Sequence, residues 1–150
     1  FQRANQLEDL KQKDFFRKGV VADFFLQKDP IFARLNLDDE EFKLYQQIYR
    51  HLQLKAPVPD LVIYLQTPVD LLRKRVEKRN INYEQRISTE YLEKIAASYS
   101  NYFHNQHKSN VLIVNNENID LLEDSSALKM MTERIMDISS IREYFNPKLI

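Results

Sequence analysis

The chain is 150 residues long, with 43% hydrophobic and 29% charged residues and a formal net charge of zero from 22 basic and 22 acidic side chains. That balance is ordinary for one soluble globular domain or a large piece of one, and it gives no global charge argument for a nucleic-acid or membrane partner. With no cysteine, disulfides and thiolate metal sites are excluded, and no apolar run approaches the ~20 residues needed to span a bilayer.

Residues 1–18 read as a helix, with Leu7, Leu10 and Phe15 near one face, and Gly19 reads as its C-terminal cap. Val20, Val21 and Ala22 form a short apolar run that stops at Asp23, the pattern of a buried parallel strand. Asp29-Pro30 opens a short helix through Arg34. Leu37-Asp38-Asp39 supplies capping chemistry for a helix from about Glu40 to Leu52. Leu61 to Leu65, bounded by Pro59 and Pro68, is the clearest strand. A helix from Val69 to Arg79 follows, with Pro68 suited to its first turn. Ser88 caps the next helix, which reaches about His104. Val111 to Val114 is a third strand, followed by a polar loop from Asn115 to Asn118 and a helix from about Leu121 to Ile138. The tail from Tyr144 has no period. Alternating strands and helices predict an α/β fold, a parallel sheet flanked by helices. Ligands in such folds sit at the carboxyl ends of the strands. Asp23, Gln66-Thr67 and Asn115-Asn116 fall there.

The densest chemistry lies between residues 73 and 86. Arg73, Arg75, Arg79, Arg86, Lys74 and Lys78 are opposed there by Glu77 and Glu84 alone. Arg75 and Arg79 are four apart and share a helix face. Two guanidiniums so placed can grip one anion, although a solvated helix surface carries the same pattern. Asp23 is either a loop cap or a carboxylate for Mg²⁺, a metal that prefers oxygen ligands and keeps several waters. Glu84 reads equally as a surface ion pair with Arg79 or Arg86. By pattern Arg3 is an exposed residue. His104 and His107 lack a nearby third ligand, so they do not read as a metal site. Tyr99, Tyr102 and Phe103 read as core. Gly19 is the sole glycine, so no glycine-rich loop is present to cradle a phosphate. The sequence carries half of a phosphate-handling machine.

The segments GVVADFFLQKDPIFARLNLDDEEFKLYQQIYRHL, PDLVIYLQTPVDLLRKRVEKR and YEQRISTEYLEKI, in this order, resemble the bacterial deoxynucleoside kinases of the deoxyadenosine/deoxyguanosine kinase type. The likeness runs from Phe1 to about Asp137 and corresponds to the family's C-terminal two-thirds. It implies a P-loop kinase fold, seen here without its first strands. It also implies a cytoplasmic homodimer that moves the γ-phosphoryl of ATP to the 5′-hydroxyl of a deoxynucleoside, a purine by the type resembled. Nucleic acid and membrane are not among the implied partners. Arg3 matches an arginine that helps read the base, and Asp29 an aspartate near the base pocket. Asp23 matches the acid that opens an Asp/Glu-Arg-Ser motif at the Mg²⁺ and phosphate site. Arg75 and Arg79 match lid arginines, and Glu84 a lid glutamate that binds the sugar 3′-hydroxyl. The stretch Asn115 to Ile119, including Asn116, Glu117 and Asn118, falls where the donor adenine is held.

The sequence departs from the family pattern at several points. Phe24 and Phe25 stand where the motif has arginine and serine, leaving Lys28 as the candidate cation, and Ile81 replaces a further lid arginine. The P-loop, its lysine and the carboxylate that activates the 5′-hydroxyl would all lie upstream of Phe1. Residues 1–150 alone are therefore expected to lack kinase activity. Two other readings compete. One is a nucleoside monophosphate kinase of thymidylate kinase type. The other is a non-catalytic helical interaction module.

Overall fold

Asn110–Asn115 carries four apolar residues in succession between two asparagines, and all four, Val111 to Val114, are buried. A strand buries consecutive residues only where both of its faces are covered, as in a parallel sheet with helices on each side. In the computed structural model this run is the central strand. The sheet has the order β1 (Leu61–Gln66), β2 (Asn110–Asn115), β3 (Arg142–Phe145), and both pairings are parallel. The register sets Leu61 opposite Asn110 and Gln66 opposite Asn115, so β1 and β2 end level. The expected α/β class with a parallel sheet and flanking helices is what forms.

The structure describes residues 19–23, 25–53, 58–105, 109–119, 121 and 123–147, without the side chains of 52 and 53. The chain divides into two units, 1–58 and 59–150. In the first, a short 3₁₀ turn over Leu26–Lys28 leads into α1 (Asp29–Asn36) and α2 (Asp39–Gln53). Asp38 starts α2 as its sequence requires. Its Oδ1 accepts from the Glu40 and Glu41 N–H groups at 2.9 Å, and Glu41 Oε2 accepts from the Asp38 N–H at 3.1 Å. Arg34 bonds Asp39 at 2.8 Å and lies over the Phe42 ring, fixing α1 to the start of α2.

Two expectations for this unit need correction. Residues 20–22 form no strand, and Val20 and Val21 are exposed. A strand exists by its ladder, and among the described residues nothing pairs with this run. Gly19 does not adopt the left-handed conformation of a helix cap. The helix expected over 1–18 lies outside the described residues, as does Arg3.

In the second unit, α3 (Val69–Arg79) has the bounds expected of it, with Pro68 one residue ahead as its N-cap. The helix stops at Asn80, which is left-handed with φ 52°. Asparagine is among the few residues with a side chain that tolerate that geometry. Next, α4 (Thr89–Asn105) is capped by Ser88, whose hydroxyl accepts from the Tyr91 N–H at 3.2 Å. Its aromatic face packs on the sheet. Phe103 stacks on Tyr64 of β1 at 4.6 Å, with Tyr99 and Tyr102 edge-on around it. Phe103 is core and the tyrosines around it are half-buried, packed on one another as their spacing suggests.

The last helix, α5 (Ser125–Met136), begins four residues later than expected. Asp124 sets that start by accepting from the Ser126 and Ala127 N–H groups at 2.9 Å. The tail then contributes β3, a strand with no sequence signal, because its middle residue is a buried glutamate. Glu143 accepts from the Ser139 and Ser140 N–H groups at 3.0 Å and pairs with Arg134 of α5 at 2.6 Å. These backbone N–H groups, and then Arg134, hold its carboxyl below its ordinary value of 4.5. A carboxylate with a lowered folded-state pKa stabilises the fold above its ordinary pKa, and that contribution is lost as pH falls through the folded value. The melting temperature should therefore drop as pH falls below about 4.5, and Glu143→Gln should flatten that part of the profile. An unchanged acid limb in the variant would remove Glu143 from the account.

Candidate functional site

The carboxyl ends of β1 and β2 meet at one edge of the sheet, and the second unit gathers its site residues there. Thr67 follows β1 and Asn116 follows β2, with the Asn116 N–H donating to the Gln66 carbonyl at 2.8 Å. Arg75, nearly two turns into α3, reaches back to this end of the sheet. Its Nη1 lies 3.4 Å from Thr67 Oγ1. In the amide orientation that satisfies both ends of Asn116, Arg75 donates to Oδ1 at 3.0 Å and Nδ2 donates to the Ile119 carbonyl at 3.0 Å. A cleft of about 540 Å³ opens at the same end of the sheet, lined in part by Thr67, Glu93, Ser100, Glu117 and Tyr144.

The basic residues of α3 have different fates. Arg73 pairs with Glu77 at 3.1 Å and donates to Thr89 at 2.7 Å, so it ties α3 to α4. Arg79 lies 3.5 Å from Glu84 in the 3₁₀ turn Glu84–Arg86. Glu84 is mostly buried, and its second oxygen, Oε2, has no hydrogen-bond partner among the described residues. A buried carboxylate oxygen left open is an acceptor for a ligand hydroxyl or a water. Arg75 has no carboxylate partner among the described residues, so none of them offsets its charge. Arg75 and Arg79 share a face of α3 and have different partners, Thr67 after β1 for the first and Glu84 of the 3₁₀ turn for the second.

The loop after β2 splits by burial. Asn116 and Ile119 are 5% and 6% exposed, whereas Glu117 and Asn118 are exposed. A ligand at this loop would meet backbone groups and the latter two side chains. Sequence reasoning missed Thr67 as an Arg75 partner and Asn80 as the left-handed residue that ends α3, to whose side chain Gln85 donates at 3.2 Å. A threonine just past a strand end and an asparagine closing a basic helix were the available signals.

In the first unit, Asp23 is exposed, and the Lys28 ammonium donates to its backbone carbonyl at 3.5 Å. Asp29, at the start of α1, lies close enough to Tyr45 of α2 to act on its hydroxyl. Burial first, then the Asp29 charge and Tyr49, push that hydroxyl well above the usual tyrosine value. Among the described residues no group of three or more His, Cys, Asp or Glu could hold a metal. Mg²⁺ held through one carboxylate, substrate phosphates and water does not require such a group, and Asp23 fits that mode. No helix among the described residues is long and apolar enough to cross a membrane.

A sequence model of the deoxynucleoside kinases matches residues 1–140. The chain belongs to the deoxynucleoside kinase family. It is 36% identical over 99 residues to a deoxyguanosine kinase of Bacillus subtilis, an alignment covering 65% of this chain and 47% of that protein. It is 27% identical over 143 residues to a deoxyadenosine kinase of Lactobacillus acidophilus, covering 83% and 66%. The chain thus spans about half to two-thirds of the length of these relatives. Its fold matches a deoxyadenosine kinase from M. mycoides solved with bound dATP. The TM-score there is 0.69 at 20% identity, covering 90% of this chain and 71% of that one.

Proposed function

We propose that these residues are the C-terminal part of a single deoxynucleoside kinase domain that transfers the γ-phosphoryl of ATP to the 5′-hydroxyl of a deoxynucleoside, with a purine preferred. The observation that carries this reading is the family match over residues 1–140. The uncompensated Arg75 at the carboxyl ends of two parallel strands supports it, because phosphoryl transfer depends on positioning and charge neutralisation. In this reading Arg75 and Arg79 neutralise the transferring group. Glu84, whose buried Oε2 has no partner among the described residues, accepts from the sugar 3′-hydroxyl, and Asp29 and Arg3 act at the base. Asp23 would hold Mg²⁺, which supplies charge neutralisation at the phosphates when bound. The loop from Asn116 through Glu117 and Asn118 to Ile119 flanks the donor base. The whole protein acts as a cytoplasmic homodimer.

A substrate panel on the full-length protein with ATP and Mg²⁺ tests the reading. Deoxyadenosine or deoxyguanosine should be phosphorylated, and nucleoside monophosphates should not. Turnover of thymidylate alone would move the assignment to a nucleoside monophosphate kinase. No turnover and no nucleotide binding would favour an interaction module.

A further inference from the structure

The geometry points to Asn116 and Thr67 as positioning residues that aim the Arg75 guanidinium, so that the loop after β2 sets where this arginine's charge falls. The inference rests on the lid role proposed for Arg75. Asn116 is a buried polar side chain in the loop after β2, between the exposed Asn115 and Glu117, and it is fixed at three points. Its backbone N–H is held by the Gln66 carbonyl at 2.8 Å. Its Nδ2 is held by the Ile119 carbonyl at 3.0 Å, which leaves Oδ1 facing Arg75 Nη1 at 3.0 Å. Thr67 Oγ1 lies 3.4 Å from both the Arg75 guanidinium and the Asn116 amide, closing a three-residue cluster. A buried amide with both ends engaged cannot drift, so it can hold a long, exposed side chain in one place.

The chemistry of the two partners matters as much as their position. Arg73 and Arg79 face carboxylates, which offset their charge. Thr67 and Asn116 are neutral. They accept from one edge of the guanidinium and leave its remaining donors and full positive charge for an anion. Such prior fixing removes reorganisation from the moment of reaction, which is where preorganised charge accelerates transfer. It also joins the donor-base loop to a lid arginine through a single side chain.

Steady-state kinetics of the full-length kinase, with ATP and its preferred deoxynucleoside, test this through Asn116→Ala, Arg75→Met and the double variant. Asn116→Ala should lower kcat by about tenfold, as a misplaced catalytic group does, with the KM for the deoxynucleoside within about twofold. In the Arg75→Met background the same change should cost nothing further, because its effect passes through the arginine. Thr67→Val should act in the same direction by about threefold, and it serves as the test if Asn116→Ala does not fold. A purely structural role predicts losses that multiply in the double variant, and that result would overturn the inference. So would normal turnover in both single variants beside a slow Arg75→Met enzyme. If Arg75→Met itself turns over normally, the lid reading falls and this inference falls with it.

Discussion

If the proposed kinase function holds, replacing Arg75 by Met in the full-length protein should lower kcat by about 10²–10³-fold, the range seen when one preorganised donor to a developing charge is removed. The KM for the deoxynucleoside should stay within about threefold, because in the proposed reading the group acts on the transferring phosphoryl and not on the nucleoside. Two observations give Arg75 this weight. It reaches the carboxyl ends of β1 and β2, where α/β folds place ligands. It also keeps its charge uncompensated among the described residues. Arg79→Met should act in the same direction with a smaller loss, since Arg79 already spends part of its charge on Glu84. Stopped-flow or coupled-assay turnover at saturating ATP and nucleoside is the measurement. Near-normal kcat for both variants would sink the lid assignment.

The parts of this fold legible in the sequence are those whose signal is local. Pro68 and the left-handed Asn80 bracket α3, and its bounds follow from the chain alone. Asp38 and Ser88 cap their helices through bonds reaching two or three residues ahead. The misses are elements defined by distant partners. Val20 to Ala22 reads as a strand by composition, but pairing decides a strand, and none of the described residues pairs with it. The opposite error occurs at β3. Arg142–Phe145 has a buried carboxylate at Glu143, yet two serine N–H groups bond its Oε1 and Arg134 offsets its charge, which lets the strand form. At the site, the spacing of Arg75 and Arg79 shows that they share a helix face. It does not show that Thr67 and Asn116, eight residues before and 41 after Arg75 in the chain, accept from one of them.

The second large effect lies in the core that holds those strand ends in place. Leu112 sits at the middle of β2 with no exposed surface, between the equally buried Val111 and the buried Ile113. Leu112→Ala should destabilise the protein by about 2–5 kcal/mol, the sum of lost transfer energy and an unfilled cavity. Met136, at the end of α5, is 80% exposed. Met136→Ala should change stability by no more than about 0.5 kcal/mol. Urea unfolding of the two variants beside the parent reads the difference. The Leu112 variant has a second, functional consequence. β2 carries Asn115 and leads directly into Asn116, so loosening the strand loosens the anchor of Arg75. Turnover should therefore fall at temperatures well below the variant's melting point, while Met136→Ala keeps parental kinetics. If Leu112→Ala matched Met136→Ala in the unfolding midpoint, β2 would not be the centre of the core.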